Sequence, residues 1–213
     1  MHLPSVEDIL YSAPAFILAI SCHEFAHAWV ADRFGDPTAR QMGRLTLNPR
    51  SHFDLFGFLL LIFAGLGWAK GVPYNSTYFR GNKRVAMIAV SLAGVMANLI
   101  LAVVSITLFS IFFRQISDDS IVLRVLSTIF SYNVLFFVLN LIPIPPLDGS
   151  KIVAALLLGD FEEKITSLNP NFGFFILLGL VYMGWLQRVV DTLSEKMCDG
   201  LFHFIFPIFQ GGF

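Results

Sequence analysis

The sequence predicts an all-α membrane protein that crosses the bilayer several times. Of its 213 residues, 56% are hydrophobic and only 14% are charged, whereas soluble domains carry about 25% charged residues. The hydrophobic residues also form long runs, including residues 85–113 and 121–142. Each run exceeds the roughly 20 residues with which a helix crosses the hydrocarbon core. Together these observations indicate a polytopic helical bundle in a lipid bilayer.

One integral membrane domain is expected over residues 1–213, because no internal repeat or long polar linker divides the chain. Its core helices are predicted at about residues 9–31, 85–113 and 121–142, with a further span at about residues 172–190. The formal net charge is -1 and no basic tract is present, so nucleic acid is not an expected partner. The oligomeric state does not follow from these patterns.

A short membrane-associated β-hairpin or re-entrant region is predicted at residues 37–80, between the first and second core helices. Turn signals surround two strand-like runs, at residues 44–47 and 72–79. Between them, residues 53–68 are apolar, but this segment has only 16 residues and contains three glycines. That length is short for a crossing, so we expect the segment to enter and leave the membrane on one side.

The distribution of basic residues predicts the orientation of the chain. Eight of the 14 Lys and Arg residues lie in residues 32–84. Loops rich in Lys and Arg stay on the cytoplasmic side of the membrane. We therefore expect a multi-pass protein of the cell membrane (plasma or inner membrane), with residues 32–84 in the cytoplasm.

A candidate metal site stands inside the first apolar run, in the sequence His23-Glu24-Phe25-Ala26-His27. Histidines four residues apart share one helical face, with Cβ atoms about 6 Å apart, and can bind one metal ion. Glu24 is rotated off that face and can act as general base on a metal-activated water without being a ligand. Ionisable residues within an apolar span are costly and mark a functional site.

A third protein ligand is needed, because catalytic zinc normally takes three and leaves one position open. Asp148 ends a proline-rich segment, residues 140–148, where the prolines break the helix and let a carboxylate turn inward. An Asp-Gly turn at the membrane surface is the alternative, and the segment alone leaves both open. Topology favours the ligand role, since a re-entrant segment at residues 53–68 returns Asp148 to the side of His27.

These motifs together resemble the site-2 protease family, the M50-type intramembrane zinc metalloproteases. The resemblance covers roughly residues 9–158 and rests on the His-Glu-Phe-Ala-His helix and on Asn-Leu-Ile-Pro-Ile-Pro-Pro-Leu-Asp-Gly. Gly-Asp-Pro-Thr-Ala, Gly-Arg-Leu-Thr-Leu-Asn-Pro and Gly-Trp-Ala-Lys resemble its compact bacterial members, which lack a PDZ domain. The resemblance implies that transmembrane segments of other proteins are the substrates, and that Asn140 helps to position the scissile peptide or its oxyanion.

Three polar residues near these motifs are left without an assigned role. The family often has Gly-Pro before an Asn on the second core helix, whereas this chain has Gly94-Val95 before Asn98. The departure leaves the placement of Asn98 open. His52 and Asp54 flank the short apolar segment, and a His in a polar loop is more often structural than a ligand.

The mechanism that these residues predict is peptide hydrolysis by a zinc-activated water, with Glu24 as general base and His23, His27 and Asp148 as metal ligands. A metal transporter or channel is the rival from another class, since ionisable residues in membranes also line ion paths. A catalytically silent scaffold that uses zinc for stability is a third possibility. Both rivals leave Glu24 without a function.

Overall fold

The computed structural model describes residues 5–55, 57, 69–117, 120–157, 175–176, 179–180 and 182–210. These residues form the helices α1 (Val6–Arg33), α2 (Thr38–Gln41), α3 (Lys83–Phe112), α4 (Ile121–Leu141), α5 (Asp148–Leu156) and α6 (Trp185–Gln210), with 3₁₀ turns at Pro49–Ser51 and Ser76–Tyr78. The prediction of a helical architecture is confirmed.

Three of the helices in the described part of the chain are long and apolar enough to cross a membrane. They are Ile9–Arg33 within α1, Lys83–Phe112 and Ile121–Leu141. At most 39% of the most apolar stretch of each is buried within the protein. Because the remaining surface is apolar, it suits contact with lipid chains rather than water. The chain is a multi-pass membrane protein.

Side-chain caps set where α3 and α4 begin. Asn82 Oδ1 accepts hydrogen bonds from the backbone N–H groups of Arg84 and Val85, at 3.0 and 3.2 Å. Ser120 Oγ accepts from the backbone N–H of Val122, at 3.3 Å. Such caps satisfy N–H groups that the first helical turn cannot pair internally. Both helices therefore start at polar residues outside their apolar runs.

Helix α1 packs against α4 with its first half and against α3 with its second half. Phe16 meets Phe136 of α4, with ring centroids 5.6 Å apart. Further along, Ala31 clusters with Ala86 and Val90 of α3. The small alanines let the two backbones approach closely, as is common between membrane helices. Helix α1 therefore contacts both α4 and α3, each along a different half of its length.

Helix α6 completes the bundle on the other side of α3 and α4. Leu186, Val190 and Ile205 of α6 are buried in one cluster with Ile106 of α3 and Val134 of α4. Six of the 19 residues in the further span predicted at residues 172–190 lie outside the described part of the chain, and this span stays a prediction. So does the expectation that residues 1–213 form a single domain.

The predicted β-hairpin is wrong, since residues 44–47 and 72–79 contain no strand in the part of the chain that the structure describes. The physical reason is that side chains, not a partner strand, take up the backbone polar groups there. Arg44 Nη2 donates to the carbonyl oxygens of Lys70 and Gly71, at 2.5 and 3.2 Å. A strand ladder needs those oxygens for a neighbouring backbone.

Two buried carboxylates accept hydrogen bonds from backbone N–H groups further along the same segment. Glu24 Oε2 accepts from the N–H of Val72 at 2.7 Å, and Asp36 Oδ2 accepts from the N–H of Asn75 at 2.6 Å. Residues 72–79, whose composition is typical of a strand, therefore form an irregular segment that is hydrogen-bonded to α1 and to the turn after α1. The predicted re-entrant segment at residues 53–68 lies mostly outside the described residues, of which only 53–55 and 57 belong to it.

Candidate metal centre

The two histidines of α1 face inward and meet at their Nε2 atoms. His23 and His27 are 8% and 7% exposed. Their Nε2 atoms lie 2.9 Å apart, because residues four apart in a helix project from the same face. The helix thus brings two candidate ligand atoms to one point, as the sequence spacing predicts.

Asp148 meets this pair from the first residue of α5. Its Oδ2 atom lies 3.0 Å from His23 Nε2 and 2.9 Å from His27 Nε2, and the residue is only 4% exposed. Among the residues that the structure describes, these three side chains form the group of His, Cys, Asp or Glu that could hold a metal ion. The structure therefore brings the predicted third ligand to the predicted pair.

Gly149 explains how Asp148 reaches the histidines. A Cβ atom added to Gly149 would lie 2.4 Å from the carbonyl oxygen of Leu141 and 2.6 Å from that of Ile142. Real Cβ atoms do not approach backbone oxygens so closely, so only glycine lets the start of α5 pack on the end of α4. This contact fixes the position of the carboxylate that precedes it.

The hydrogen bonds of the two imidazoles show that the site suits a cation. His27 Nδ1 donates to the carbonyl oxygen of Val90, and His23 Nδ1 donates to Asn98 Oδ1, each at 2.7 Å. Both neutral rings then carry their proton on Nδ1, which leaves two Nε2 lone pairs and the Asp148 carboxylate facing each other. Three buried acceptors without a proton between them need a positive ion.

Zinc matches this donor set in type and spacing. Two imidazole nitrogens and one carboxylate oxygen form a usual catalytic zinc site, with an open fourth position. Ligand atoms at the corners of a tetrahedron with bonds of about 2.0–2.1 Å are about 3.3 Å apart. The three separations of 2.9, 3.0 and 2.9 Å are slightly shorter, so a small outward shift accommodates the ion.

A chain of buried amides fixes the ring of His23. Asn98 Nδ2 donates to the Ala19 carbonyl oxygen at 3.2 Å and to Asn133 Oδ1 at 2.9 Å, which turns its own oxygen toward His23 Nδ1. Asn133 Nδ2 in turn donates to the Ile129 carbonyl oxygen at 2.8 Å. Both amides are 0% exposed. Outer partners of this kind orient a metal-binding imidazole and set its tautomer.

Gly94 forms the wall of the site on α3. A Cβ atom at this position would lie 2.5 Å from His27 Nε2 and 2.7 Å from His23 Nε2. Any larger residue would occupy the space of the ligand atoms. Because Gly94 precedes Asn98 by four residues, both lie on the face of α3 that is directed at α1.

Glu24 lies next to the metal-ligand group but is held by a different part of the chain. It is 9% exposed, and its Oε2 atom accepts the N–H of Val72 at 2.7 Å. We call residues 69–75 the strap, because this irregular segment lies against α1 at that point. With one carboxylate oxygen bound to the strap, the second oxygen is the one that can accept a proton from a water.

Lys151 binds the outer side of the Asp148 carboxylate. Its Nζ atom donates to Oδ1 at 2.9 Å, while Oδ2 faces the histidines, so the two oxygens have separate partners. Burial alone would raise the pKa of the Asp148 carboxyl group, but positively charged neighbours lower that pKa well below its usual range, and Lys151 is the neighbour that keeps its charge when the histidines are neutral. Burial lowers the pKa of Lys151, but Asp148 and, less strongly, Glu24 outweigh it and raise that pKa. The carboxylate and the ammonium group therefore both stay charged at neutral pH.

The remaining sequence candidates have local contacts. Asn140 Nδ2 donates to the Phe136 carbonyl oxygen of its own helix at 3.1 Å. His52 is fully buried and its Nε2 donates to the Thr46 carbonyl oxygen at 2.8 Å. Asp54 Oδ1 accepts a hydrogen bond from the backbone N–H of Gly57 at 2.8 Å. The contacts of His52 and Asp54 fit structural roles.

Sequence reasoning missed three residues of this site. Gly94 and Asn133 have a weak signal, since a glycine and an asparagine inside apolar helices need a reason to be there. Lys151 follows Asp148 by three residues, which places both on one face of α5. Spacing alone could have found Lys151, whereas Asn133 needs the contact between two helices.

A buried group of two imidazoles and one carboxylate, with a glutamate between the histidines and apolar helices around it, defines a membrane-embedded metalloprotease. Comparison with known proteins leads to the same class. The family described as "Peptidase family M50" matches residues 11–117 and 109–180. No solved structure matches the chain.

Relatives support this assignment over most of their length. The chain is 38% identical to "Putative zinc metalloprotease YwhC" of Bacillus subtilis, over 94% of this chain and 93% of that protein. It is 34% identical to "Putative zinc metalloprotease Rip2" of Mycobacterium tuberculosis, over 84% of this chain and 71% of that protein. A Rip2 of Mycolicibacterium smegmatis is 32% identical over 81% and 67%. The chain belongs to peptidase family M50.

Family membership settles the class of activity and the cofactor. The chain is a zinc metalloprotease, and the His-His-Asp group provides a set of residues suited to zinc. The transporter and the silent scaffold, which the sequence left as rivals, are set aside by this finding.

Proposed function

We propose that this protein hydrolyses peptide bonds within or near transmembrane segments of other membrane proteins. The observation that carries the proposal is the placement of the candidate metal centre. His23, His27 and Asp148 are at most 8% exposed, and they lie between helices whose outer surfaces suit lipid. A protease site enclosed by membrane helices is reached most directly by a substrate that itself lies in the membrane.

In this proposal His23, His27 and Asp148 hold the zinc ion. Bound there, zinc supplies Lewis-acid activation of a water and polarises the scissile carbonyl group. The partners of the ligands support this role, because His23 and His27 each donate from Nδ1 to a buried acceptor. The rings are thus presented with Nε2 toward the ion, and Lys151 leaves only one oxygen of Asp148 directed at it.

Glu24 is the general base and then the general acid. It takes a proton from the attacking water and delivers that proton to the leaving amide nitrogen as the C–N bond breaks. Its hydrogen bond to the N–H of Val72 supports this role, because it fixes one oxygen and orients the other. Asn140, at the last turn of α4, is the candidate that positions the scissile peptide.

The test is cleavage of a panel of single-span substrates by the purified full chain in detergent. We expect cleavage that stops when a zinc chelator is added and returns with zinc. The Glu24→Gln variant should retain about one zinc per chain, while its rate falls by about 10²–10⁴-fold, the usual contribution of a general base. Cleavage by this variant at the wild-type rate would contradict the role of Glu24.

We further propose that residues 32–84 face the cytoplasm of a cell membrane. Eight of the 14 basic residues lie in this range, and basic loops are retained on that side. Cysteines introduced at Ser51 and Ser76 should both react with an impermeant thiol reagent applied from the cytoplasmic side, in a background lacking Cys22 and Cys198. Labelling of the two positions from opposite sides, in an active variant, would overturn the re-entrant topology.

A further inference from the structure

Lys151 is the cationic side chain that adjoins the candidate metal centre. Its Nζ atom lies 2.9 Å from Asp148 Oδ1, one carboxylate group away from the point where the three ligand atoms meet. The ligand side chains of His23 and Asp148 are only 10% and 6% exposed, whereas the side chain of Lys151 is 38% exposed. Lys151 therefore extends from a buried ligand to the protein surface.

The ammonium group has more hydrogen-bond donors than its protein contacts use. It carries three N–H donors and no acceptor. One donor binds Asp148 Oδ1, and the ring of Tyr74 lies 5.7 Å from Nζ to its centroid, within cation–π distance. A further donor is left for a group that arrives with the substrate. The flexible four-carbon stem lets this donor move without breaking the contact to Asp148.

Tyr74 also places the strap on the same side of the site as Lys151. Val72 of the strap binds Glu24, and Tyr74, two residues later, contacts Lys151. Residues 69–75 thus contact both Glu24, the proposed general base, and the ammonium group of Lys151. This arrangement matches the two demands of peptide hydrolysis, which are a base for the water and a positive donor for the carbonyl oxygen.

Charge balance gives a reason for a cation at this position. Once Glu24 has taken the proton of the water, a zinc ion with Asp148 has one net positive charge, and Lys151 adds a second positive charge close to that group. Asn140, the sequence candidate for the oxyanion, is a neutral donor whose Nδ2 already binds within its own helix.

We propose that Lys151 is a catalytic residue that donates a hydrogen bond to the substrate carbonyl oxygen as it becomes an oxyanion. In this step the water oxygen bonds to the carbonyl carbon, the π electron pair moves to the carbonyl oxygen, and Glu24 takes the proton of the water. Lys151 keeps its protons throughout, because Glu24 supplies the proton that the leaving amide nitrogen takes up when the C–N bond breaks. The inference rests on the proposed proteolysis and adds an oxyanion donor to it.

A purely structural role for Lys151 would have a different signature. If Lys151 serves only to hold Asp148, then its loss weakens zinc binding and activity follows zinc occupancy. If Lys151 stabilises the oxyanion, then its loss lowers kcat while zinc occupancy and KM change little. A hydrogen bond that forms only in the transition state contributes about 10²–10³-fold to kcat. An effect of this size is large enough to distinguish an oxyanion donor from a structural residue.

The experiment compares Lys151→Met and Lys151→Arg with the wild type, each loaded with zinc in detergent. Zinc content and zinc affinity are measured first, then kcat and KM on one single-span substrate. Binding of a phosphinic peptide, whose tetrahedral anion mimics the oxyanion, is measured by calorimetry and needs no turnover. We expect Lys151→Met to lower kcat and phosphinic-peptide affinity in parallel by about 10²-fold or more, and Lys151→Arg to recover most of both.

The matched control is Lys196→Met, which makes the same substitution at an exposed position of α6 and should change neither kcat nor phosphinic-peptide affinity. Loss of zinc from Lys151→Met in proportion to its activity would overturn the proposal in favour of a structural role. Unchanged phosphinic-peptide affinity in Lys151→Met would overturn it as well. A zinc-loaded wild type that binds the phosphinic peptide but cuts no membrane substrate would contradict the proposed substrate class instead, and the affinity comparison would still decide the role of Lys151.

Discussion

The proposed metal ligands and the proposed general base are held in two different ways. His23, His27 and Asp148 are fixed by helices, through Asn98 and Val90 of α3 and Lys151 of α5. Glu24 belongs to the same helix as the histidines, yet its carboxylate is bound by the backbone of the strap, an irregular segment. The proposed ligands are thus held by contacts between helices, whereas the proposed general base is held by the backbone of an irregular segment.

This difference teaches that metal binding and turnover can be damaged separately. Changes to the three ligands themselves, or to the α3 wall behind the two histidines, should release zinc and activity together. Changes in the strap should leave zinc in place and alter only the rate, because the strap touches Glu24 and none of the three ligands in the contacts described above. Each prediction below tests that separation.

The largest effect is expected for Asp148→Ala. Removing a ligand leaves two imidazoles for the ion, so zinc affinity should fall by about 10³-fold or more, beyond the 10–100-fold typical of outer partners. Activity should fall with zinc occupancy. Both are measured by titration against a competing chelator and by substrate cleavage. The matched control is Asp54→Ala, which removes a carboxylate that accepts the backbone N–H of Gly57, and this variant should bind zinc normally. The reverse outcome would show that the third ligand is misassigned.

A smaller loss of zinc is expected for Gly94→Ala. The new methyl group would lie 2.5 Å from His27 Nε2, so α3 must shift away from α1 or the imidazole must rotate. We expect zinc affinity to fall by about 10–100-fold, as when an outer partner of a ligand is lost.

The control for this variant is Gly200→Ala in α6, where an added Cβ meets nothing within 4 Å. Helix propensity alone makes that change neutral or stabilising, by about 0.5–1 kcal/mol in thermal unfolding. Normal zinc affinity in Gly94→Ala would mean that α3 does not form the wall of the site.

The same contrast explains what the sequence could predict. The histidine pair and Glu24 follow from helical spacing inside an apolar run, and Asp148 follows from a proline break combined with the parity of membrane crossings. The inference for the two histidines and Glu24 needs only their positions along one helix, whereas the inference for Asp148 also needs the number of membrane crossings that precede it. The three helices able to span a membrane follow from the lengths of the apolar runs.

The strap could not be predicted in this way. Residues 72–79 have the composition of a strand, but Glu24 and Asp36 accept two of their backbone N–H groups, and Arg44 binds the two carbonyl oxygens that come just before this run. Those three side chains lie far away along the chain, so no local pattern shows that they compete with a partner strand. Tertiary contacts override local propensity here, as is usual for β structure.

The last prediction concerns Arg44→Gln, which should loosen the strap without touching the metal. Arg44 is 8% exposed and binds the carbonyl oxygens of Lys70 and Gly71, immediately before the N–H that binds Glu24. Hydrogen bonds to a charged group contribute about 1.5–3 kcal/mol. Only part of that loss reaches Glu24, because Asp36 still holds the strap at Asn75. We therefore expect kcat to fall by about tenfold, which corresponds to about 1.4 kcal/mol, with zinc content unchanged.

The comparison variant is Arg40→Gln, which removes the same guanidinium group from an ion pair with Asp32 whose arginine side chain is 63% exposed. Exposed pairs contribute little, so its kcat should stay within about twofold of the wild type, a difference of less than 1 kcal/mol. If Arg44→Gln lost zinc together with activity, the strap would support the ligands as well as the base. If Arg44→Gln were as active as Arg40→Gln, Glu24 would be positioned by its own helix, and the contrast between a helix-held ion and a loop-held base would fail.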